Sequence, residues 1–274
     1  MIDIFRIFNF QSQPLNCVNS FLEAYHNYVP DYNLREIKFD CGNIFYTERK
    51  ESPFPYFHKT THIFIFGTVF MRQDYNNAKL GNQKVLLPQD LLDFYDRFSV
   101  EMAKYIKGNF AIIIYDDHRK ELVFISSKLN TLPLFYYYKN NNFIFSSSIK
   151  AMLNFIDIQP KLNEKSLVEQ AIFYYPLSDK TYLNDILQLP PATVLKIDKN
   201  ELKAKKYWQI EDLFYKEQLI KEDDALYKCM DLMKENLKVY TSCDKKFLLS
   251  LTAGFDSRTN LALIDRDPKD FLCY

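Results

Sequence analysis

The sequence predicts an α+β fold in two parts: a layered domain of antiparallel strands over residues 1–205, then one parallel βαβ unit within 206–274. Three observations predict it. Short apolar runs rich in Phe, Tyr, Ile and Val recur through the first part with turn residues between them. Two helical patterns interleave with those runs. Beyond residue 210 the order becomes long helix, strand, small-residue turn, helix and a closing apolar strand.

The elements follow in order. "HIFIFGTVF" (62–70), "NFAIIIYDD" (109–117), "ELVFISS" (121–127), "LFYYYK" (134–139) and "NFIFSSS" (142–148) read as strands. The polar "DDHRK" and "KNNN" between neighbouring runs read as hairpin loops. A helix is predicted over 88–106, where Pro and acidic residues open the pattern, and another over 163–175 behind the cap candidate Asn163. In 222–240, Leu226, Met230, Met233 and Leu237 form one stripe of an amphipathic helix. A strand at 246–251, a turn at 252–256, a helix at 257–265 and an apolar "DFLCY" at 270–274 complete the βαβ unit. One such unit cannot bury both its faces, so this second domain is expected to be incomplete.

Composition narrows the function classes. The 274 residues carry 35 Lys+Arg against 35 Asp+Glu, so charge offers no case for nucleic acid or an anionic membrane surface. Five dispersed cysteines (17, 41, 229, 243, 273), with no C-x-x-C pair, point to reduced thiols rather than a disulfide frame or zinc site. Asp3 and Arg6 interrupt the first apolar run, which argues against a signal peptide, and no apolar run reaches membrane-helix length. A cytoplasmic location is the expectation.

The turn from Thr252 to Ser257 draws the chemistry. Free backbone N–H groups and the helix dipole at a strand–helix junction favour an anion. Thr252, Ala253 and Gly254 are small enough to let one approach. Asp256 could hold Mg²⁺ or cap the helix, and Ser257 could donate to a phosphate oxygen. An ordinary connection capped by Asp256 is the competing reading, at about equal weight on local physics alone.

"LLSLTAGFDSR" resembles the S-G-G-x-D-S pyrophosphate loop of the ATP-pyrophosphatase families, in the synthetase domain of asparagine synthase-like enzymes. Thr252 falls on the first Ser, Ala253 and Gly254 on the two Gly, and Asp256 and Ser257 on the Asp-Ser. Upstream, "GNFAIIIYD" (108–116) resembles the G-x-F-A-x-x-x-x-D of class II glutamine amidotransferase domains. "PLFYY" (133–137), "SSSIKAML" (146–153) and "TYLNDILQLPPAT" (181–193) resemble their P-L-Y-Y, S-E-I-K-A-L and T-x-x-x-x-I-x-x-L-P-P-G. "YW" (207–208) matches the lead into the synthetase domain. The motifs occur in family order. The resemblance implies an Ntn-hydrolase-like αββα domain followed by an adenine-nucleotide-hydrolase-like unit. It also implies ATP and Mg²⁺ as cofactors, with Ser250, Thr252, Ala253, Gly254, Asp256 and Ser257 around the nucleotide and Asp256 on the metal.

The same resemblance shows what is missing. The family's nucleophile is an N-terminal Cys whose α-amine is the base, whereas this chain begins Met1-Ile2. Exposing Cys17 by cleavage would remove the first strand. Phe66 replaces the oxyanion Asn of N-G-E-I-Y-N, while Gly67 is kept. Ser126, Ser127 and Asn130 replace the Arg, Asp and Gly of R-D-x-x-G-x-x-P-L. No catalytic residue is therefore assigned, and glutamine hydrolysis is expected to be absent.

Other constellations read as structural. His58 and His62 are four apart, but in a Pro- and Thr-rich loop without a third ligand. Ser147 and Lys150 lack the companions of an S-x-x-K enzyme. Lys203, Lys205 and Lys206 read as a solvated turn, Trp208 as a packing anchor, and Arg258 as solvent-facing or phosphate-touching. Two functions follow. One is an ATP-dependent, acyl-adenylating amide ligase with a silent glutaminase domain, taking a small-molecule or peptide acyl substrate; in that reaction a carboxylate attacks the α-phosphate of ATP and an amine then displaces AMP. The other is a non-catalytic fragment serving as scaffold or partner-binding module. No nucleic acid or membrane partner is expected, and a homodimer is compatible with either function.

Overall fold

The computed structural model describes residues 4–9, 33–39, 42–48, 55–72, 85–139, 142–153, 161–198, 201–214, 220–241 and 247–274. Met1, Ile2, Cys17, Cys41 and Cys243, on which part of the sequence reading turns, lie outside them. The chain divides into two compact units, Met1–Val69 with Leu86–Gln209, and Phe70–Val85 with Ile210–Tyr274.

The first unit holds two six-stranded sheets. One runs β10(Leu187–Gln188)-β8(Phe135–Lys139)-β9(Asn142–Ser146)-β1(Ile4–Asn9)-β3(Gly42–Glu48)-β2(Asn33–Phe39). The other runs β12(Leu202–Lys206)-β11(Thr193–Ile197)-β7(Glu121–Ser126)-β6(Ile106–Asp116)-β5(Thr61–Met71)-β4(Tyr56–His58). All pairs of known register in the two sheets are antiparallel.

Alternation along the strands explains the stacking. Ala111, Ile113 and Tyr115 of β6 and Leu122 and Phe124 of β7 meet Phe143 and Phe145 of β9 and Ile44 of β3 in one buried cluster, so the core lies between the sheets. The intervening residues of β6 and β7 are buried too, which requires cover on the second face. The helix α1(Pro88–Phe98) buries Leu91, Leu92 and Tyr95, and the Tyr95 hydroxyl reaches Glu121 of β7 at 2.6 Å. Phe and Ile runs that look undifferentiated in sequence are thus strands buried on both faces.

The helix expected over 88–106 is shorter. Pro88 starts it and the Asp90 carboxylate accepts the Leu87 N–H at 2.7 Å. Ser99 takes φ 50°, where the α-helix stops and a 3₁₀ turn over Ser99–Lys104 follows; residues from 106 on belong to β6. Two further helices are α2(Ile149–Leu153) and α3(Glu164–Phe173). Asn163 caps α3 as expected, its side-chain oxygen accepting the Ser166 N–H at 3.2 Å. His58 and His62 stand on a β-hairpin, with His58 opposite Thr61 and His62 opposite Phe57. His62 packs among the Phe39, Phe57 and Tyr115 rings.

Glu121 is a buried acid inside a circle of charge. It is 4% exposed and accepts from the Tyr95 hydroxyl and Lys196, with Arg119 at 3.5 Å. Burial alone would push its pKa up; the hydrogen bonds from Lys196 and Tyr95, and the Lys196 and Arg119 charges, outweigh burial and hold it below the ordinary value. A lowered native pKa stabilises the fold above the unfolded-state value of about 4.3, and that contribution is lost as pH falls through the native pKa. Urea unfolding from pH 7 to 3 is therefore expected to show a steeper acid-side loss of stability in the native chain than in Glu121→Gln. Equal slopes would remove Glu121 from the acid response.

In the second unit, α4(Glu222–Thr241) carries the expected stripe, yet Leu226 and Met230 are 58% and 39% exposed. Then β13(Phe247–Leu249), α5(Phe255–Leu263) and β14(Phe271–Cys273) form a βαβ unit, the strands parallel with Phe247 opposite Phe271 and Leu249 opposite Cys273. The Phe247 and Phe271 rings stack at 5.0 Å. The Arg266 guanidinium sits over the Phe247 ring and donates to the Thr241 carbonyl. No described helix is long and apolar enough to cross a membrane.

Candidate functional site

Two places bear on chemistry, one in each unit. In the first unit, Gly67 of β5 sits at φ +83°, a conformation that L side chains rarely adopt. A Cβ there would fall on the Asn109 carbonyl oxygen and 2.7 Å from Leu132 Cδ1. The kept Gly of the N-G pair is thus demanded by a close approach of the next strand. Phe66, its neighbour, packs against the hydrophobic core cluster. Where the resemblance calls for an amide aimed at an oxyanion, the side chain offers apolar surface and no donor.

Of the residues replacing R-D-x-x-G, Ser126 and Asn130 are tied to backbone far along the chain. The Ser126 hydroxyl donates to the Pro190 carbonyl at 2.6 Å and accepts the Thr193 N–H at 3.0 Å. The Tyr207 hydroxyl donates to the Ser126 carbonyl at 2.7 Å, and burial pushes its pKa up. Asn130 donates from its amide to the Leu189 carbonyl at 2.6 Å, at φ 46°. Ala192, where the resembled motif has Gly, takes φ 52° and donates its N–H to the Ser127 carbonyl at 3.0 Å. These bonds tie "SSKLN" to "LPPAT" across the chain and give the Ser126 hydroxyl and the Asn130 amide nitrogen their partners. The Trp208 ring lies under the Lys128 ammonium at 4.9 Å.

In the second unit, Ser250, Thr252, Ala253, Gly254 and Asp256 are exposed around the junction of β13 and α5, and Ser257 is buried. Gly254 is the N-cap at φ −75°, and no side chain caps the first turn. Ala253 is absent from the residues with positive φ, so its methyl group does not strain the loop backbone. A Cβ on Gly254 would meet only Thr252 Oγ1 at 3.4 Å, an open approach to the backbone. Asp256 lies in the first helical turn.

Ser257 behaves differently from its expected part. Its hydroxyl is 2.7 Å from the Thr252 carbonyl and 3.2 Å from the Gly254 carbonyl, to which it donates, and 3.1 Å from Thr252 Oγ1. It braces the loop from below. Arg258 donates weakly to the Gly254 carbonyl at 3.4 Å and lies over the Phe255 ring at 4.7 Å. Among the described residues no group of three or more His, Cys, Asp or Glu could hold a metal ion. Any ion at Asp256 would need its other ligands from phosphate and water, which suits Mg²⁺.

Sequence reasoning missed the tie between Ser126 and Thr193; the two Ser-for-charge replacements were its only trace.

Residues 72–208, half of the chain, match the family model for the glutamine amidotransferase domain. A Methanocaldococcus jannaschii protein named as glutamine-hydrolysing asparagine synthetase 2 is 29% identical over 177 residues, covering 62% of this chain and 33% of that protein. The glutamine-hydrolysing asparagine synthetase 3 of Bacillus subtilis (strain 168) is 26% identical over 176 residues, covering 63% and 28%. A solved glutamine phosphoribosylpyrophosphate amidotransferase of B. subtilis superposes with a TM-score of 0.45 at 9% identity, over 99% of this chain and 65% of that one. The chain thus spans about a third or less of the curated relatives' length.

Proposed function

Because the chain belongs to the glutamine amidotransferase domain family, in its asparagine synthase-like class II form, we propose an asparagine synthase-like protein whose first domain, Ntn-hydrolase-like in layering, has kept the fold and shed glutamine hydrolysis. One observation carries this reading: Phe66 commits the oxyanion position to core packing. A missing oxyanion donor alone costs about 10²–10³ in rate. The tie from the Ser126 hydroxyl to the Pro190 carbonyl puts a neutral hydrogen bond where the resembled motif has Arg.

In the same reading, residues from 206 onward begin a synthetase-like nucleotide domain. The uncapped first turn of α5, the open backbone at Gly254 and the exposed Asp256 fit a polyphosphate and Mg²⁺. ATP bound there would supply acyl-adenylating chemistry to an amide-forming ligase acting on a small-molecule or peptide acyl substrate. The chain's own part is to bind: the first-turn N–H groups face the anion, Asp256 holds the cation, and Ser257 keeps the loop in shape. With no glutaminase, nitrogen would come from free ammonia or an amine substrate.

A second reading, a non-catalytic scaffold or partner-binding module, is favoured by the Ser257 hydroxyl, which is already engaged with local carbonyls. Calorimetric titration with Mg-ATP separates the two. The expected result is weak binding heat that disappears in Asp256→Ala; no heat at millimolar ATP leaves the scaffold. In parallel, glutamate release from glutamine is expected to stay at the blank, and release above it would overturn the loss of glutaminase chemistry.

A further inference from the structure

Two buried oxygens of the turn over residues 126–130 are left over once its hydrogen bonds are assigned. Ser127 is 1% and Asn130 8% exposed, yet neither Ser127 Oγ nor Asn130 Oδ1 has a hydrogen-bond partner among the described residues. An unsatisfied buried polar group is costly, and native folds leave few of them. Two on one turn call for a common cause.

The orientation of Asn130 is fixed. Its amide nitrogen donates to the Leu189 carbonyl at 2.6 Å. Turning the amide over would set oxygen against oxygen, so Oδ1 stays where it is. The backbone holds the two residues together: the Asn130 N–H donates to the Ser127 carbonyl at 3.2 Å. Ser127 is laced on two further sides, its N–H donating to the Phe110 carbonyl and its carbonyl accepting the Ala192 N–H, each at 3.0 Å.

The partner these oxygens call for has a definable chemistry. An amide oxygen only accepts, so the partner must donate a proton, which excludes a bare anion. The charge beside the turn is the Lys128 ammonium, laid over the Trp208 ring, and no described cluster of acidic or metal-binding side chains offsets a cation. The lacing around Ser127 restricts the partner to a small molecule. We propose that one buried water molecule bridges Ser127 Oγ and Asn130 Oδ1, donating to the amide oxygen and sharing a hydrogen bond with the hydroxyl. These two side chains supply the minimum of polar partners that a buried water needs. The resembled motif has Asp and Gly at these positions, so the water stands between a shortened side chain and an added one. The site is independent of any nucleotide or glutamine chemistry.

A crystal structure of the full chain tests it. An ordered-water peak is expected within hydrogen-bond distance of both oxygens, and this reading needs no variant to fold. Urea unfolding gives a second reading with a sign of its own. Were the Ser127 hydroxyl unbonded, Ser127→Ala would remove an unsatisfied group and raise the midpoint. With the water in place, the same change is expected to lower it, cutting the folding equilibrium constant about five-fold. Asn130→Ala should then cost about two-fold less, or better, in the Ser127→Ala background than in the native chain, because both side chains hold the same water. No peak at that position, a raised midpoint in Ser127→Ala, or strictly additive costs would each overturn the inference.

Discussion

Replacing Gly67 by Ala is expected to cost at least about 4 kcal/mol, a large share of the roughly 5–15 kcal/mol that holds a domain folded. Two effects add. An L residue at φ +83° carries about 1–3 kcal/mol of backbone strain. Overpacking adds about 1–3 kcal/mol, and here it falls at the hard end, because the first atom met is the Asn109 backbone carbonyl oxygen. A flexible side chain could swing aside; a carbonyl in the adjacent strand cannot move without pulling β5 and β6 apart. Adding Leu132→Ala in the Gly67→Ala background should therefore recover little, although Leu132 is the second obstacle at 2.7 Å. Urea unfolding followed by near-ultraviolet circular dichroism reads both variants. A Gly67→Ala chain within about 1 kcal/mol of the native one would show that the approach of the two strands is soft.

Phe143→Ala is expected to cost about 3–5 kcal/mol. Its ring is fully buried between the sheets, with Phe124 at 5.6 Å, Phe145 at 6.0 Å and Tyr136 stacked at 6.0 Å. Rings of this rigidity do not collapse into a vacated space as a methionine would. The urea midpoint should fall with little change in slope, since the surface exposed on unfolding barely alters. Phe57→Ala, at a ring 56% exposed, is the matched control and should shift the midpoint far less. Equal shifts would contradict the placement of the core.

The hairpin of β6 and β7 and that of β8 and β9 are legible in the sequence because dense aromatic and β-branched runs flank polar turns. The Asn163 cap and the order of β13, α5 and β14 are legible for the same local reason: caps and strand–turn–helix junctions are decided by neighbours in sequence. What escapes is decided elsewhere. β2 holds Arg35, Glu36 and Lys38 beside apolar residues, an alternation too mixed to stand out until β3 pairs with it. β12 reads as a charged turn because it lies at an edge, where one-sided pairing with β11 tolerates three lysines. Gly67 is recognisable as kept, but its reason is an oxygen on Asn109, in the neighbouring strand. Phe66 reads as the loss of a donor; that its ring joins the core needs the sheets in place.

That lysine-bearing edge has a consequence for how the protein behaves in a crowded solution. β12 presents Lys203, Lys205 and Lys206 along the open rim of a sheet whose inner strands are among the most water-averse in the chain. A stranger's strand docking there would have to strip three ammonium groups of water, so the rim works as a guard against runaway fibre growth. Trading these lysines for threonines would keep the strand and lift the guard.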